Sequence, residues 1–361
     1  MSKIYTQNKK LFIHIGQHKT GSSSIQKALI ENKKILEKNS ISYFRSNPDN
    51  TIGSNVNPWI QPNKLKYCKD VGKIIQLHKF ALELSKLSGN VIISSESFSW
   101  VNDNDELMKL KEQLNKYFNE IIIIVYLRRQ DSHVVSHSQE EAKRGGDINE
   151  FGFFLSGNTA MPKYHKDYDY YLNYNNRLST WADIFGNSEI IIRVFEKKHL
   201  YKQDVVLDFF KVIGITNNVL SFRVNESWGF EKIKVVYLME KIKMNKYIKH
   251  IVTENLDNSG KLLPSKHQAK EFYSFYKNSN KKLNIKFSIN ENNDSIFNDD
   301  FSTYPQKRND VWTEESANQA ILNILKAVNS LTPRALLYVA IKIKFFSLKQ
   351  KLKQIYKLID D

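Results

Sequence analysis

Residues 121–127 (IIIIVYL) form an unbroken apolar run that no other in the chain exceeds, and the run ends abruptly in Arg128 and Arg129. Three other segments share its character: 11–15 (LFIHI), 91–93 (VII) and 189–195 (EIIIRVF). Their apolar residues are contiguous rather than alternating, as in strands covered on both faces. Helical spacing fills the intervals at 71–88, 105–118, 132–143 and 170–185. A further helix starts near Ser23 and sets Ile25, Ala28 and Leu29 on one side. Strands that alternate with helices predict an α/β fold, a parallel sheet flanked by helices. Such sheets bind ligands at the C-terminal ends of their strands, so the residues just after each run are the ones to read for function.

Beyond residue 215 the pattern turns helical and basic. Residues 226–249 read as a Lys-rich amphipathic helix, 256–261 as a loop, and 278–300 as Asn-rich and irregular. Residues 313–329 and 334–358 again have helical spacing. The expected division is an α/β core over 1–230 and a largely helical C-terminal extension over 231–361, packed on or beside the core. The chain holds 54 Lys and Arg against 38 Asp and Glu, a net charge of +16, which calls for an anionic partner. One cysteine, Cys68, excludes an intramolecular disulfide framework and a cysteine-rich zinc site. No apolar stretch approaches the roughly 20 residues that span a bilayer. The opening MSKIYTQNKK has no hydrophobic signal core, so a cytoplasmic protein is expected.

The most informative stretch is 12–26, FIHIGQHKTGSSSIQ. A strand feeds a loop containing Gly16, Lys19 and Gly21, and a helix opens at the serines. A helix N-terminus presents unpaired amides and partial positive charge, which suits phosphate. Lys19 adds a point charge, Gly21 allows close backbone approach, and Ser22, Ser23 and Ser24 add hydroxyls. The order is not that of a Walker A loop, in which Lys follows the second Gly. The plain alternative is an ordinary helix start with Ser23 and Gln26 as a capping box.

The order Lys-Thr-Gly-Ser-Ser after a strand resembles the 5′-phosphosulfate loop of sulfotransferases that use 3′-phosphoadenosine 5′-phosphosulfate (PAPS), in particular the bacterial carbohydrate sulfotransferases. The resemblance implies a P-loop-type sheet and spans residues 10–230. It implies that Lys19, Thr20, Gly21, Ser22, Ser23 and Ser24 hold the 5′-phosphate and sulfate. Arg128 and Ser136, eight residues apart, match the Arg and Ser that bind the 3′-phosphate in that family. Arg makes a forked, charge-assisted bond to phosphate. A Walker B strand would end in an acid for Mg²⁺, whereas this one ends in Arg128.

Glu96, after the run at 91–93, matches the position where Golgi-type and many bacterial members of the family carry a carboxylate base; cytosolic members carry His there. It would accept the proton of the attacking hydroxyl. The plain alternative for Glu96 is a surface carboxylate that caps the next helix. His18 and His133 are the competing bases, and His18 could also contact the sulfate. Lys19 would in addition stabilise the leaving group. The segment 193–210 is similar to an R-x-F-E strand end followed by D-x-x-x-D-F in bacterial members. Arg223 or Ser227, in the R-x-N-x-S element at 223–227, would by the resemblance belong to a loop that closes over the cofactor, with Asn225 or Ser227 as a helix N-cap the plain alternative. No metal is expected, because the chemistry needs none and the nine histidines are read as forming no H-x-x-x-H pair or Cys/His cluster.

The acceptor expected from the resemblance is a carbohydrate, such as a surface polysaccharide precursor or glycolipid. Residues 168–174 are aromatic-rich and could stack on sugar rings or pack in the core. The basic segment 334–361 suggests peripheral contact with an anionic membrane. Two other readings stand beside this one. A phosphotransferase with a degenerate P-loop conflicts with the Lys order and the missing acid. A basic nucleic-acid or membrane-binding protein explains the +16 but not the ordered loop, Glu96 and Arg128 set, so a nucleic-acid partner is not expected.

Overall fold

The computed structural model describes residues 8–46, 59–61, 73–144, 159–224, 227–292 and 294–331, together with 340 and 344. Cys68, Asn225, Glu226 and nearly all of the basic segment 334–361 lie outside these residues.

Five parallel strands form the central sheet: β1 (Lys10–His14), β2 (Ile41–Tyr43), β5 (Asn90–Ser94), β6 (Glu120–Leu127) and β7 (Ile190–Val194). Their order is β2-β5-β1-β6-β7. A two-residue antiparallel pair, β3 (Ile60–Gln61) and β4 (Lys73–Ile74), stands apart from it. The helices in chain order are α1 (Ser22–Glu31), α2 (Lys33–Lys38), α3 (Leu77–Ser85), α4 (Asn104–Leu114), α5 (Gln130–Arg144), α6 (Asp169–Leu172) and α7 (Tyr174–Phe185). They continue with α8 (Val205–Val212), α9 (Phe230–Lys241), α10 (Lys246–Asn255), α11 (Lys266–Phe287) and α12 (Glu314–Asn329). This is the expected parallel α/β sheet flanked by helices, with a helical C-terminal region.

The unbroken apolar runs follow from burial on both faces. Phe12, Ile92, Ile124 and Tyr126 project to one side, where they pack with Ile25 and Leu29 of α1 and Phe209 and Phe210 of α8. Leu11, Ile13, Val91, Ile93, Ile123 and Val125 alternate with them, face the other side, and are fully buried. Each such side chain contributes about 1.5–3 kcal/mol relative to exposure. From β1 the chain runs toward the β2 edge, and from β6 toward the β7 edge. The order therefore reverses between β1 and β6, which sets a crevice at their C-terminal ends.

The structure departs from the sequence reading in several elements. Edge strand β2 has only three residues and no distinctive run. The helical pattern at 71–88 resolves into strand β4 and the shorter α3. The pattern at 226–249 breaks into α9 and α10 at a turn where Lys243 takes φ 51°. The Asn-rich stretch from 278 is helical as far as Phe287. Its asparagines are satisfied inside: Asn280 and Gln130 exchange amide hydrogen bonds of 2.9 and 3.0 Å, and Asn284 donates to the carbonyls of Asn292 and Asp294.

The chain divides into two compact units. One comprises residues 1–137, 163–226 and 267–303, and the other 138–162, 227–266 and 304–361. The division differs from a single boundary at 230, since 267–303 group with the sheet. The second unit is built around Val235, Val236, Met239, Val252, Leu256 and Ala320 of α9, α10, the residue after α10, and α12. Its buried Asp310 accepts from the Ala160 amide at 2.7 Å, and Lys234 donates to the Asp310 carbonyl at 2.9 Å. Among the described residues no helix is long and apolar enough to cross a membrane.

Candidate functional site

The loop after β1 is held open by its backbone. Lys19 takes φ 63° and Gly21 φ 83°, both left-handed. Gly21 is the N-cap of α1 and, having no side chain, supplies no cap, so the Ser23–Gln26 capping box is not formed. Gln26 instead donates to the Ser94 carbonyl at 3.2 Å. A Cβ on Gly16 would stand 3.0 Å from Ser22 Oγ and 3.4 Å from Glu96 Cγ. Glycine there lets the loop, the first turn of α1 and the end of β5 converge.

The loop's hydroxyls divide into different tasks. Thr20 Oγ1 donates to the Gln17 carbonyl at 2.6 Å, and Ser22 Oγ reaches the same oxygen at 3.4 Å. Ser24 Oγ accepts from the Val224 amide at 3.1 Å, which ties the segment carrying the exposed Arg223 to α1. Ser23 sits half-buried in the first turn, as Lys19 does in the loop. Gly229, not Asn225 or Ser227, occupies the N-cap of α9.

Arg128 lies across the crevice and reaches the loop. Its Nη1 donates to the Lys19 carbonyl at 3.3 Å, and its amide donates to Gln17 Oε1 at 3.3 Å. Its Nε donates to Ser132 Oγ at 2.8 Å. The hydroxyl that Arg128 meets is therefore Ser132, four residues on. Ser136 sits half-buried one turn farther along the same face of α5, about 6 Å higher by helical rise. The neighbouring Arg129 has a structural task. It pairs with Asp131 through two bonds of 2.8 and 3.0 Å, donates to the carbonyls of Asn298 and Asp300, and stacks 4.0 Å from the Phe301 ring.

Glu96 is the first residue of a 3₁₀ turn (Glu96–Trp100) that follows β5. Ser95 performs the capping there, its Oγ accepting from the Ser97 amide at 3.1 Å, which leaves the carboxylate out of the cap. Glu96 is half-buried against Gly16. Ser99 stitches this turn to the loop by donating to the carbonyls of Ile15, at 2.8 Å, and Gly16.

Two tyrosines lock the loop from behind. Tyr174 OH accepts from Gln17 Nε2 at 2.6 Å and donates to the Arg128 carbonyl at 2.7 Å. Tyr171 OH accepts from the His18 amide at 3.0 Å and lies 2.7 Å from His18 Nδ1. Both are fully buried; burial is the main force that pushes the Tyr171 hydroxyl up to about 12 and raises that of Tyr174. Of the aromatic stretch 168–174, these two residues are therefore loop anchors. Their signal in the sequence is the polar end each aromatic must satisfy when buried.

The histidines are also brought together. His133 and His137 stand at H-x-x-x-H spacing on α5, contrary to the sequence reading, with ring centroids 5.9 Å apart. The His18 ring lies 5.4 Å from that of His137. Among the described residues no group of three or more His, Cys, Asp or Glu is arranged to hold a metal ion. His133 is fully buried, and burial foremost, then His137, Arg128, His18 and Arg177, hold it well below the usual histidine range. The R-x-F-E and D-x-x-x-D-F residues pair with each other: Arg193 binds Asp208 at 2.5 and 2.9 Å, Tyr126 OH donates to Asp208 at 2.8 Å, and Asp204 caps α8.

No family model matches this chain. An uncharacterized protein of Archaeoglobus fulgidus is 34% identical over 125 residues, which are 35% of this chain and 30% of that protein, so the match spans less than a third of the relative's length. The crystal structure of a sulfotransferase from Alicyclobacillus acidocaldarius superposes on 68% of this chain and all of its own, with a TM-score of 0.39 and 14% identity. At these values neither comparison assigns the chain to a family.

Proposed function

We propose that this protein is a PAPS-dependent sulfotransferase that moves a sulfuryl group to a carbohydrate hydroxyl. The observation that carries the reading is the convergence of Gly16, Ser22 and Glu96 at a left-handed loop that Arg128 reaches from the next strand. The first turn of α1, the backbone around Lys19 and Gly21, and the Arg128 guanidinium suit an anion. Lys19, Thr20, Gly21, Ser22, Ser23 and Ser24 would hold the 5′-phosphosulfate, with Thr20, Ser22 and Ser24 shaping the loop through their hydroxyls. Arg128, with Ser132 beside it and Ser136 one turn on, would hold the 3′-phosphate, and Arg223 would lie over the nucleotide. PAPS supplies the activated sulfuryl group. Glu96 accepts the hydroxyl proton of the acceptor at its carboxylate, and Lys19 balances charge on the departing side. The Nδ1 of His18 is engaged with Tyr171 and His133 is fully buried, which favours Glu96 as base. The carbohydrate preference rests on the family resemblance of the Glu96 position.

Calorimetric titration with 3′-phosphoadenosine 5′-phosphate (PAP), in parallel with ATP, tests this. PAP should bind and ATP should not. Binding of ATP alone would transfer the case to a phosphotransferase, and a folded protein that binds no PAP overturns the proposal.

A further inference from the structure

Arg177, on α7, is 0% exposed, and among the described residues nothing accepts a hydrogen bond from its Nε, Nη1 or Nη2. Among the described residues this buried guanidinium, which stays protonated in proteins, therefore has no carboxylate hydrogen-bonded to it. Such a charge is unfavourable, and a well-packed apolar side chain of similar volume would usually be more stable there. What surrounds it is aromatic. The guanidinium carbon lies 4.9 Å from the Tyr171 ring centroid and 5.4 Å from that of Tyr174, so cation–π attraction compensates in part. The hydroxyl ends of those same rings grip the loop and the end of β6: Tyr171 at His18, Tyr174 at Gln17 and Arg128. Arg177 thus stands behind the tyrosines that hold the loop, where its charge is close enough to act on their hydroxyls. The lowered affinity of the buried His133 for a proton has Arg177 among its causes, after burial and the charges of His137, Arg128 and His18.

We propose that Arg177 is a positioning residue of the anion site: it fixes Tyr171 and Tyr174 beneath the loop and adds positive charge to the pocket that receives the anion. The proposal rests on the reading of the loop after β1 as an anion site. It belongs to the class of features kept for function at the expense of stability.

The test uses the full chain, with Arg177→Met to remove the charge at similar volume and Arg177→Lys to keep it without the planar stack. Binding of PAP and of inorganic pyrophosphate is measured by calorimetry, and melting temperature separately. R177M should melt no lower than the wild type yet bind both ligands about tenfold or more weakly; R177K should bind between the two. A merely structural Arg177 gives the opposite pattern, a lower melting temperature with unchanged affinity in R177M, and that result overturns the proposal. An R177M that fails to fold also contradicts it, as does an R177K that binds no better than R177M. Wild-type binding of pyrophosphate but not PAP sinks the sulfotransferase reading alone and leaves Arg177 to be judged on pyrophosphate. Wild-type binding of neither sinks both.

Discussion

Glu96 and Arg128 show how neighbouring residues of similar type separate into different tasks. Ser95 takes the cap of the 3₁₀ turn, so Glu96 is left facing Gly16. Asp131 and two carbonyls occupy Arg129, while Arg128 points to the loop. Glu96→Gln should therefore leave PAP affinity within about twofold and cut turnover by about 10²–10⁴, the usual worth of a general base. Steady-state kinetics beside PAP titration checks this; full turnover in E96Q would disqualify Glu96 as base. Lys19→Ala and Arg128→Ala should each weaken PAP binding by about 10- to 100-fold, as expected for a lost charged hydrogen bond of about 1.5–3 kcal/mol. Lys19, Gly21, Glu96 and Arg128 were all legible as candidates, because each stands at the end of an apolar run. Gln17, Ser99, Tyr171 and Tyr174 were not, because their roles arise from partners up to 157 positions away, and Ser132 and Arg177 were not, because their roles depend on burial and orientation rather than on sequence spacing.

The loop and the helix it opens act as one element, and Gly21 is where they join. Alanine at Gly21 meets two obstacles, a φ of 83° and a Cβ 2.8 Å from Val205 Cγ1. Gly214 offers a control, with φ 88° and nothing within 4 Å of a Cβ. Gly214→Ala should lower stability by about 1–2 kcal/mol, the left-handed penalty alone. Gly21→Ala should cost more and also weaken PAP binding, which thermal melts and titration would resolve. Equal losses in the two variants, with PAP binding intact in G21A, would show that the loop tolerates displacement. The helix following β6 makes a related point. The family resemblance sets Ser136 beside Arg128 on the 3′-phosphate, and in the structure Ser132, one turn of helix earlier, meets Arg128 Nε. The R-x-F-E and D-x-x-x-D-F residues likewise turn inward, where Arg193 and Asp208 fasten α8 to β7.

Across the whole molecule, buried histidines couple the fold to pH. Burial pushes His14 down to about 3 and holds His133 well below its ordinary value near 6.5. Both are neutral in the folded protein, whereas in the unfolded chain they take up protons below about pH 6.5. Their contribution is complete above that pH and is lost progressively as pH falls below it, for His14 down to about pH 3, by about 1.4 kcal/mol per pH unit for each group. Melting temperatures should fall between pH 7 and pH 4, and less steeply in His14→Asn; an unchanged slope would remove His14 from the account. The sequence by itself determined the parallel α/β sheet, since contiguous apolar runs are stable only when both faces are covered. It also marked the loop after β1, Glu96 and Arg128, because strand ends and glycines are local features. Only the tertiary structure decided which hydroxyls shape the loop, which arginine reaches it, and that Arg177 is buried against Tyr171 and Tyr174 with no hydrogen-bond acceptor among the described residues. Those outcomes depend on burial, on backbone geometry and, for Arg128 and Ser24, on partners 109 and 200 positions away, and local sequence spacing carries no information about them.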